Sequence, residues 1–176
     1  KLLYQSEHDE LTGLYNKRSL NRYLEDVFEA CKLNEKELGI LFLDIDYFKQ
    51  LNDRYGHGKG DEGICAVADT LKKIFPEDYV ARYGGDEFLV VMTGRDLTYA
   101  MEHAESLCAG IREYKIPNED SELEPWLTIS VGGVCAIPRE PNRVWDFLSA
   151  ADNTLYEQKK EQKGKVRFYQ GEGKYL

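Results

Sequence analysis

The stretch A-R-Y-G-G-D-E-F-L-V-V, from Ala81 to Val91, constrains this chain more than any other. Two apolar runs, Tyr79–Val80 and Phe88–Met92, flank the pair Gly84–Gly85, and the carboxylates of Asp86 and Glu87 follow at once. Adjacent glycines between strand-forming runs predict a tight hairpin, because only glycine takes positive φ at both central positions at little cost. Such a turn carries no side chains, so another group can approach its backbone closely. Open amides beside two carboxylates suit a polyphosphate with its magnesium ion. Taken alone, the same residues also describe an ordinary turn with solvated acids, and the rest of the chain has to decide between the two.

The surrounding pattern alternates helices and strands. Leu20, Leu24, Val27, Phe28 and Cys31 recur at helical spacing. Leu38 to Ile45 is almost continuously apolar, which marks a central strand covered on both faces. A helix is expected from about Asp46 to Tyr55, broken by Gly56, His57, Gly58 and Gly60, with a longer one beginning at Asp61 and stopping at Pro76. After the hairpin, Leu97, Ala100, Met101, Ala104, Leu107, Cys108 and Ile111 form one apolar helical face. Ile116 to Pro125 is acidic and reads as a surface loop. Leu127 to Ile137 is the next strand, with Gly132–Gly133 as a bulge or a close packing point. Val144, Leu148, Ala151 and Leu155 set a last helix on the sheet, and Val166 to Tyr169 is a short closing strand. The fold class is therefore α/β: a single-domain sandwich over residues 1–176, with helices on both faces of a central mixed sheet.

Composition excludes several classes. At 176 residues and 42% apolar content, with 12 Tyr and 7 Phe, the chain can bury a real core and is not disordered. A net charge of −9 argues against a nucleic-acid partner. No apolar run is long enough to cross a bilayer, so no direct membrane contact is expected from these residues. Cys31, Cys65, Cys108 and Cys135 are widely spaced within apolar runs, so buried free thiols in a reducing cytosol are expected. The abrupt opening K-L-L-Y-Q-S suggests the C-terminal part of a longer protein with a sensor domain upstream, cytoplasmic even if that protein is anchored in a membrane.

Asp44 ends the buried strand, and Asp86 and Glu87 sit at the hairpin. If the two strands are neighbours, three carboxylates converge at one end of the sheet. They would repel unless cations lay between them, so magnesium is the economical expectation. Two metals bridged by carboxylates are what an in-line phosphoryl or nucleotidyl transfer uses. A capping role at the start of the next helix is the competing use of these acids, and Asp46 fits it better than Asp44.

R-Y-G-G-D-E-F at Arg82 to Phe88 resembles the signature of the GGDEF family, the bacterial diguanylate cyclases. The resemblance extends over essentially the whole chain. D-E-L-T-G-L-Y-N-K-R at Asp9 to Arg18 is similar to the family's opening motif. So is L-D-I-D-Y-F-K-Q-L-N-D-R-Y-G-H-G-K-G-D at Leu43 to Asp61 to its metal and base block. Ser130-Val131-Gly132 resembles the S-x-G strand, and Ala151-Asp152 with Tyr156 and Lys159 the final helix.

The resemblance implies a fold like the palm of nucleotidyl cyclases. It implies an enzyme that condenses two GTP into cyclic di-GMP with release of two pyrophosphates, and that uses two magnesium or manganese ions per site. Asp44, the Ile45 carbonyl, Asp86 and Glu87 would then hold metal, and Asp86, Glu87 and Lys49 would be catalytic. Asn52 and Asp61 would read guanine, whose N1 and N2 donors adenine lacks. Tyr47, Phe48, Gly84 and Gly85 would meet phosphates through their backbone, and Lys159 and Lys163 the terminal phosphates. A second copy would be needed, related by two-fold symmetry, since the product requires two opposed attacks. The alternative is a silent GTP- or dinucleotide-binding regulatory module. Two departures bear on activity. Lys163 stands where the family commonly has arginine, which keeps charge but loses the bidentate fork. The upstream product-inhibition motif R-x-x-D reads Phe75-Pro76-Glu77-Asp78, with the arginine missing.

Overall fold

A computed structural model describes residues 2–171 and 175–176. In chain order the elements are α1 (Leu2–Glu7), α2 (Lys17–Leu33), β1 (Leu38–Ile45), α3 (Phe48–Tyr55), α4 (His57–Ile74), β2 (Tyr79–Arg82), β3 (Glu87–Thr93), α5 (Leu97–Glu113), β4 (Ile129–Ala136), α6 (Val144–Glu161) and β5 (Val166–Phe168). The sheet order is β2-β3-β1-β4-β5; among the described strands only the β4–β5 pair is parallel, so the sheet is mixed as expected. β1 lies at its centre because alternate residues feed two separate cores. Leu41, Leu43 and Ile45 pack with Leu71, Leu107 and Ile111 under α4 and α5. Ile40 and Phe42 pack with Leu24, Phe28 and Phe147 under α2 and α6. Burying each such large side chain stabilises the fold by about 1.5–3 kcal/mol, which is why a strand apolar on both faces must sit inside. Among the described residues no helix is long and apolar enough to cross a membrane.

The elements follow the expected pattern, with local corrections. Residue 56 alone separates α3 from α4: Gly56 takes φ 87°, and α4 resumes at His57 rather than at Asp61. Asp61 is therefore an exposed residue of the second turn, not a helix cap. Gly132 and Gly133 are a close packing point without a bulge, since the β1 register runs through them unbroken. A Cβ at Gly132 would stand 2.5 Å from the Ala151 carbonyl oxygen, so α6 rests directly on the strand backbone there. Met101 lies off the apolar face of α5 and is exposed. The segment from Ile116 to Pro125 is more than surface loop, because Ile116 and Asn118 are buried. All four cysteines are free; Cys31 and Cys108 are buried, while Cys65 and Cys135 are only partly so.

Candidate active site

β1 and β3 are antiparallel neighbours, and their register sets Asp44 directly opposite Glu87. Like charges facing across a ladder repel, and the electrostatics record it. Burial raises the Asp44 carboxyl above its ordinary range, although the Lys159 ammonium pulls the other way. Burial raises Asp86 and Glu87 too, with Asp44 adding to both and Asp86 adding to Glu87. Lys159 Nζ lies 2.5 Å from Asp44 Oδ2, whereas Asp44 Oδ1 is buried without a hydrogen-bond partner. Lys159 is thus a half-buried counter-ion rather than a solvated lysine. Burial alone would lower its basicity, but Asp44, Asp46 and Asp86 hold it above the usual value. Asp152, on the exposed side of α6, adds further negative charge to Asp44 and Glu87.

Beside these acids opens a cleft of about 620 Å³, lined by Ile45, Tyr47, Phe48, Lys49, Gln50, Asn52, Asp53, His57, Asp86, Lys159 and Lys163. Lys49 is an exposed residue of its wall, and Lys163 Nζ lies 5.3 Å from the Tyr47 ring centroid. Asn52 Oδ1 is a second buried acceptor without a partner; it packs so closely on Gly60 that a Cβ there would collide with it. Asp61, Gly84 and Gly85 do not line this cleft.

The hairpin differs from its expected form. Gly84 and Gly85 do not adopt positive φ. Tyr83 and Gly84 both donate to the Glu87 carbonyl, at 2.8 and 3.2 Å, so the Gly84 amide is committed to the turn and not open to a ligand. A Cβ at Gly84 would stand 3.1 Å from Glu87 Oε1, so a side chain there would press on that carboxylate. Arg82 pins the turn from behind, donating to the Gly84 carbonyl at 3.1 Å and to the Gly85 carbonyl at 2.7 Å. The same guanidinium donates to Asp9 at 3.2 Å. Asp9 itself is buried enough to push its carboxyl up, yet bonds from Thr12 and the charge of Arg82 hold it below the ordinary range. The opening loop and the hairpin are therefore one unit, a pairing hidden from sequence by the 73 positions that separate Asp9 from Arg82.

Asp46 is not the cap of α3. Tyr47 occupies that position in the left-handed conformation, with φ 54° and ψ 37°, and makes no side-chain cap bond. Asp46 turns inward instead, almost fully buried, accepting from Thr128 Oγ1 at 2.8 Å and Ser130 Oγ at 2.6 Å. Ser130 Oγ in turn accepts the Gly164 amide at 2.9 Å, which fixes the turn after Lys163. Neither Asp46 nor Ser130 carries a site role in the sequence reading, because their partners meet only through the fold.

The donor set here consists of hard oxygens with one buried lone-pair site unfilled, which suits a divalent cation. Among the described residues, however, no three acidic, histidine or cysteine side chains are arranged to hold an ion as they stand. The Lys159 ammonium occupies one of the oxygens an ion would use.

The five-stranded mixed sheet flanked by helices matches the fold of solved GGDEF domains. The chain belongs to the GGDEF family: the model for "Diguanylate cyclase, GGDEF domain" matches residues 6–165. Diguanylate cyclases of this family use divalent metals. A probable diguanylate cyclase of Escherichia coli, DgcC, is 32% identical over 91% of this chain and 42% of its own length. A membrane protein of Staphylococcus saprophyticus, SSP1970, is 31% identical over 94% of the chain and 47% of its own. The chain thus spans under half the length of these relatives. Among solved structures, diguanylate cyclase SiaD of Pseudomonas aeruginosa, in complex with its activator SiaC, superposes with a TM-score of 0.81 at 28% identity, covering 95% of this chain and 63% of that one. The coiled coil and GGDEF domain of DgcB from Caulobacter crescentus, in complex with c-di-GMP, shares the fold with a TM-score of 0.86 at 23% identity, covering 95% and 87%.

Proposed function

We propose that this chain is the catalytic domain of a diguanylate cyclase, condensing two GTP into cyclic di-GMP and two pyrophosphates. The observation that carries the reading is Asp44: a carboxylate with one buried, unfilled oxygen, opposite Glu87, beside a cleft that also holds three lysines. Asp44, Asp86, Glu87 and the Ile45 carbonyl would hold magnesium or manganese ions, two per site. When bound, these ions supply activation of the 3′-hydroxyl and neutralisation of the leaving pyrophosphate. The chain's own residues orient the substrate. Asn52 presents a buried acceptor to the guanine donors, and Asp61 approaches the base from the solvent side. The amides of Tyr47 and Phe48 meet the phosphates at the start of α3. Lys159, released from Asp44, and Lys163 take up the terminal phosphates, with Lys49 at the wall of the same cleft; Gly84 and Gly85 leave the approach to Asp86 bare.

One copy holds one substrate, so two copies facing across a two-fold axis perform the two attacks. The domain as a whole, residues 1–176, would serve as the output of a longer sensor protein. Incubation with GTP and magnesium, followed by chromatography, tests the reading: cyclic di-GMP is expected, with specific activity rising as protein concentration rises. Lys159 seated on Asp44 favours one second reading, a GTP-binding regulatory module without turnover. GTP binding with no product at any protein concentration would establish that reading and overturn the first.

A further inference from the structure

Three non-glycine residues among those described take positive φ: Glu35, Tyr47 and Lys115. Glu35 and Lys115 follow the ends of α2 and α5, where left-handed residues commonly close a helix. Tyr47 stands instead at a helix start, and it is a bulky aromatic, for which this conformation is strained. Strain of this kind persists only where the surroundings over-determine it, and it concentrates at functional sites.

The Tyr47 carbonyl meets the Asn118 side chain. The Asn118 side chain is completely buried, and its Nδ2 donates to the Tyr47 carbonyl at 3.4 Å. Only the amide nitrogen can do this, since a carbonyl must be met by a donor. Oδ1 is left buried with no partner, so the orientation is kept at a cost. The same Tyr47 carbonyl accepts the first helical bond of α3, from the Leu51 amide at 3.0 Å.

Asn118 is itself immobilised. Its amide donates to the Pro125 carbonyl at 2.9 Å, and its carbonyl accepts from Ser121 at 3.1 Å. The acidic segment that carries it is fastened to α3 from outside: Arg54 bonds Glu119 at 2.6 Å and Asp120 at 3.3 Å, and Tyr47 Oη donates to Glu122 at 3.5 Å. These exposed ion pairs are individually weak, but together they set one buried asparagine against one strained carbonyl.

We propose that Asn118 is a positioning residue of the nucleotide site: it locks Tyr47 in its left-handed conformation and so aims the first free amides of α3 into the cleft. Residues 47 to 50 all line that cleft, and the first amides of a helix have no partner within it. The segment 117–125 is the buckle that delivers Asn118. This inference rests on the proposed nucleotide site for its purpose, though not for its structural step.

The test uses the full chain with Asn118→Ala, and Asn118→Ser should the first variant fold poorly. Amide hydrogen exchange at Leu51 is expected to quicken about tenfold while Leu41 and Leu43 in β1 stay unchanged. Affinity for a non-hydrolysable GTP analogue with magnesium, read by calorimetry well below the unfolding temperature, should fall about fivefold or more. Asparagine tolerates the left-handed region better than tyrosine. In a Tyr47→Asn background, both effects of Asn118→Ala should therefore shrink by at least half. Unchanged exchange at Leu51, or equal losses in both backgrounds, would overturn the proposal. If the native chain binds no GTP analogue, the nucleotide reading falls, and Leu51 exchange in the two backgrounds still decides whether Asn118 holds Tyr47.

Discussion

Asp44, at the end of β1, and Asp78, just before β2, are both partly buried acids, with side chains 14% and 3% exposed. Asp78 is covered by the Tyr99 hydroxyl at 2.8 Å and by the Arg95 guanidinium at 3.9 Å. Tyr99 stacks on His103 with 3.7 Å between centroids, and Phe75, 1% exposed, packs against the same histidine. The corner is finished: apolar where the family motif would have its arginine, and occupied where its aspartate remains. Asp44 has one oxygen on Lys159 and the other on nothing. Burial and charge alone therefore do not separate these two acids; what differs is that one Asp44 oxygen meets no donor in the fold.

The largest effect that could break this contrast is on chemistry. Asp44→Asn and Asp86→Asn should each lower cyclic di-GMP formation by about two orders of magnitude or more, since a lost metal contact is worth several kcal/mol of transition-state stabilisation. Both variants should stay folded by circular dichroism. Native turnover in either one would remove the metal assignment.

At the other acid the outcome should invert. Asp78→Ala is expected to cost stability, about 1–3 kcal/mol for an abandoned buried hydroxyl partner, read by urea unfolding, with turnover unchanged. Calorimetry with cyclic di-GMP under saturating GTP analogue should find no second tight site. Micromolar binding there, abolished by Asp78→Ala, would show that the corner is open after all.

Base choice sharpens the comparison within the cleft. Asn52 Oδ1 is buried and unpaired, whereas Asp61 is exposed. Asn52→Ala should therefore erode the preference for GTP over ATP by about tenfold, within the range of one unmatched buried group. Asp61→Ser should erode it less, because water screens the exposed carboxylate. The reverse order in competition binding would move the base contact to the solvent side.

The smallest expected effect is on pH dependence. Asp44, Asp46, Asp86 and Glu87 are all raised in the folded chain. The native state then holds more protons than the unfolded one in the window above the ordinary carboxylate values, 3.8 for Asp and 4.5 for Glu. Stability of the metal-free chain should accordingly rise as pH falls from neutral toward that window. Asp9, which is lowered, loses its contribution only below it. Thermal unfolding across pH 7 to 5 should show the trend, flattened in Asp44→Asn. A slope of opposite sign would mean that these acids are not destabilised by burial.

Much of the fold was legible in the sequence because it depends on periodicity. A run as nearly apolar throughout as Leu38–Ile45 has to be central, and the spacings of Leu20, Leu24, Val27 and Phe28 or of Ala104, Leu107 and Ile111 fix which helix faces turn inward. The convergence of Asp44 with Glu87 was legible too, conditional on β1 and β3 pairing, which the register bears out. The hairpin glycines do not supply the positive φ that their sequence suggests: Gly84 lies close against the Glu87 carboxylate, and a side chain at Gly85 would meet nothing.

Sequence by itself thus determined the order of elements, the two cores and the strand ends at which the acids gather, since hydrophobic burial and side-chain alternation are local properties of the chain. Only the tertiary structure decided what each acid meets. Asp46 turned to Thr128 and Ser130, Asp44 to Lys159, Asp78 to Tyr99, and Asp9 to Arg82. Asn118, an unremarkable residue in an acidic loop, came to rest on the Tyr47 carbonyl. Hydrogen bonds and ion pairs act over about 3 Å, and residues dozens of positions apart reach that distance only after the sheet and its helices have set their places.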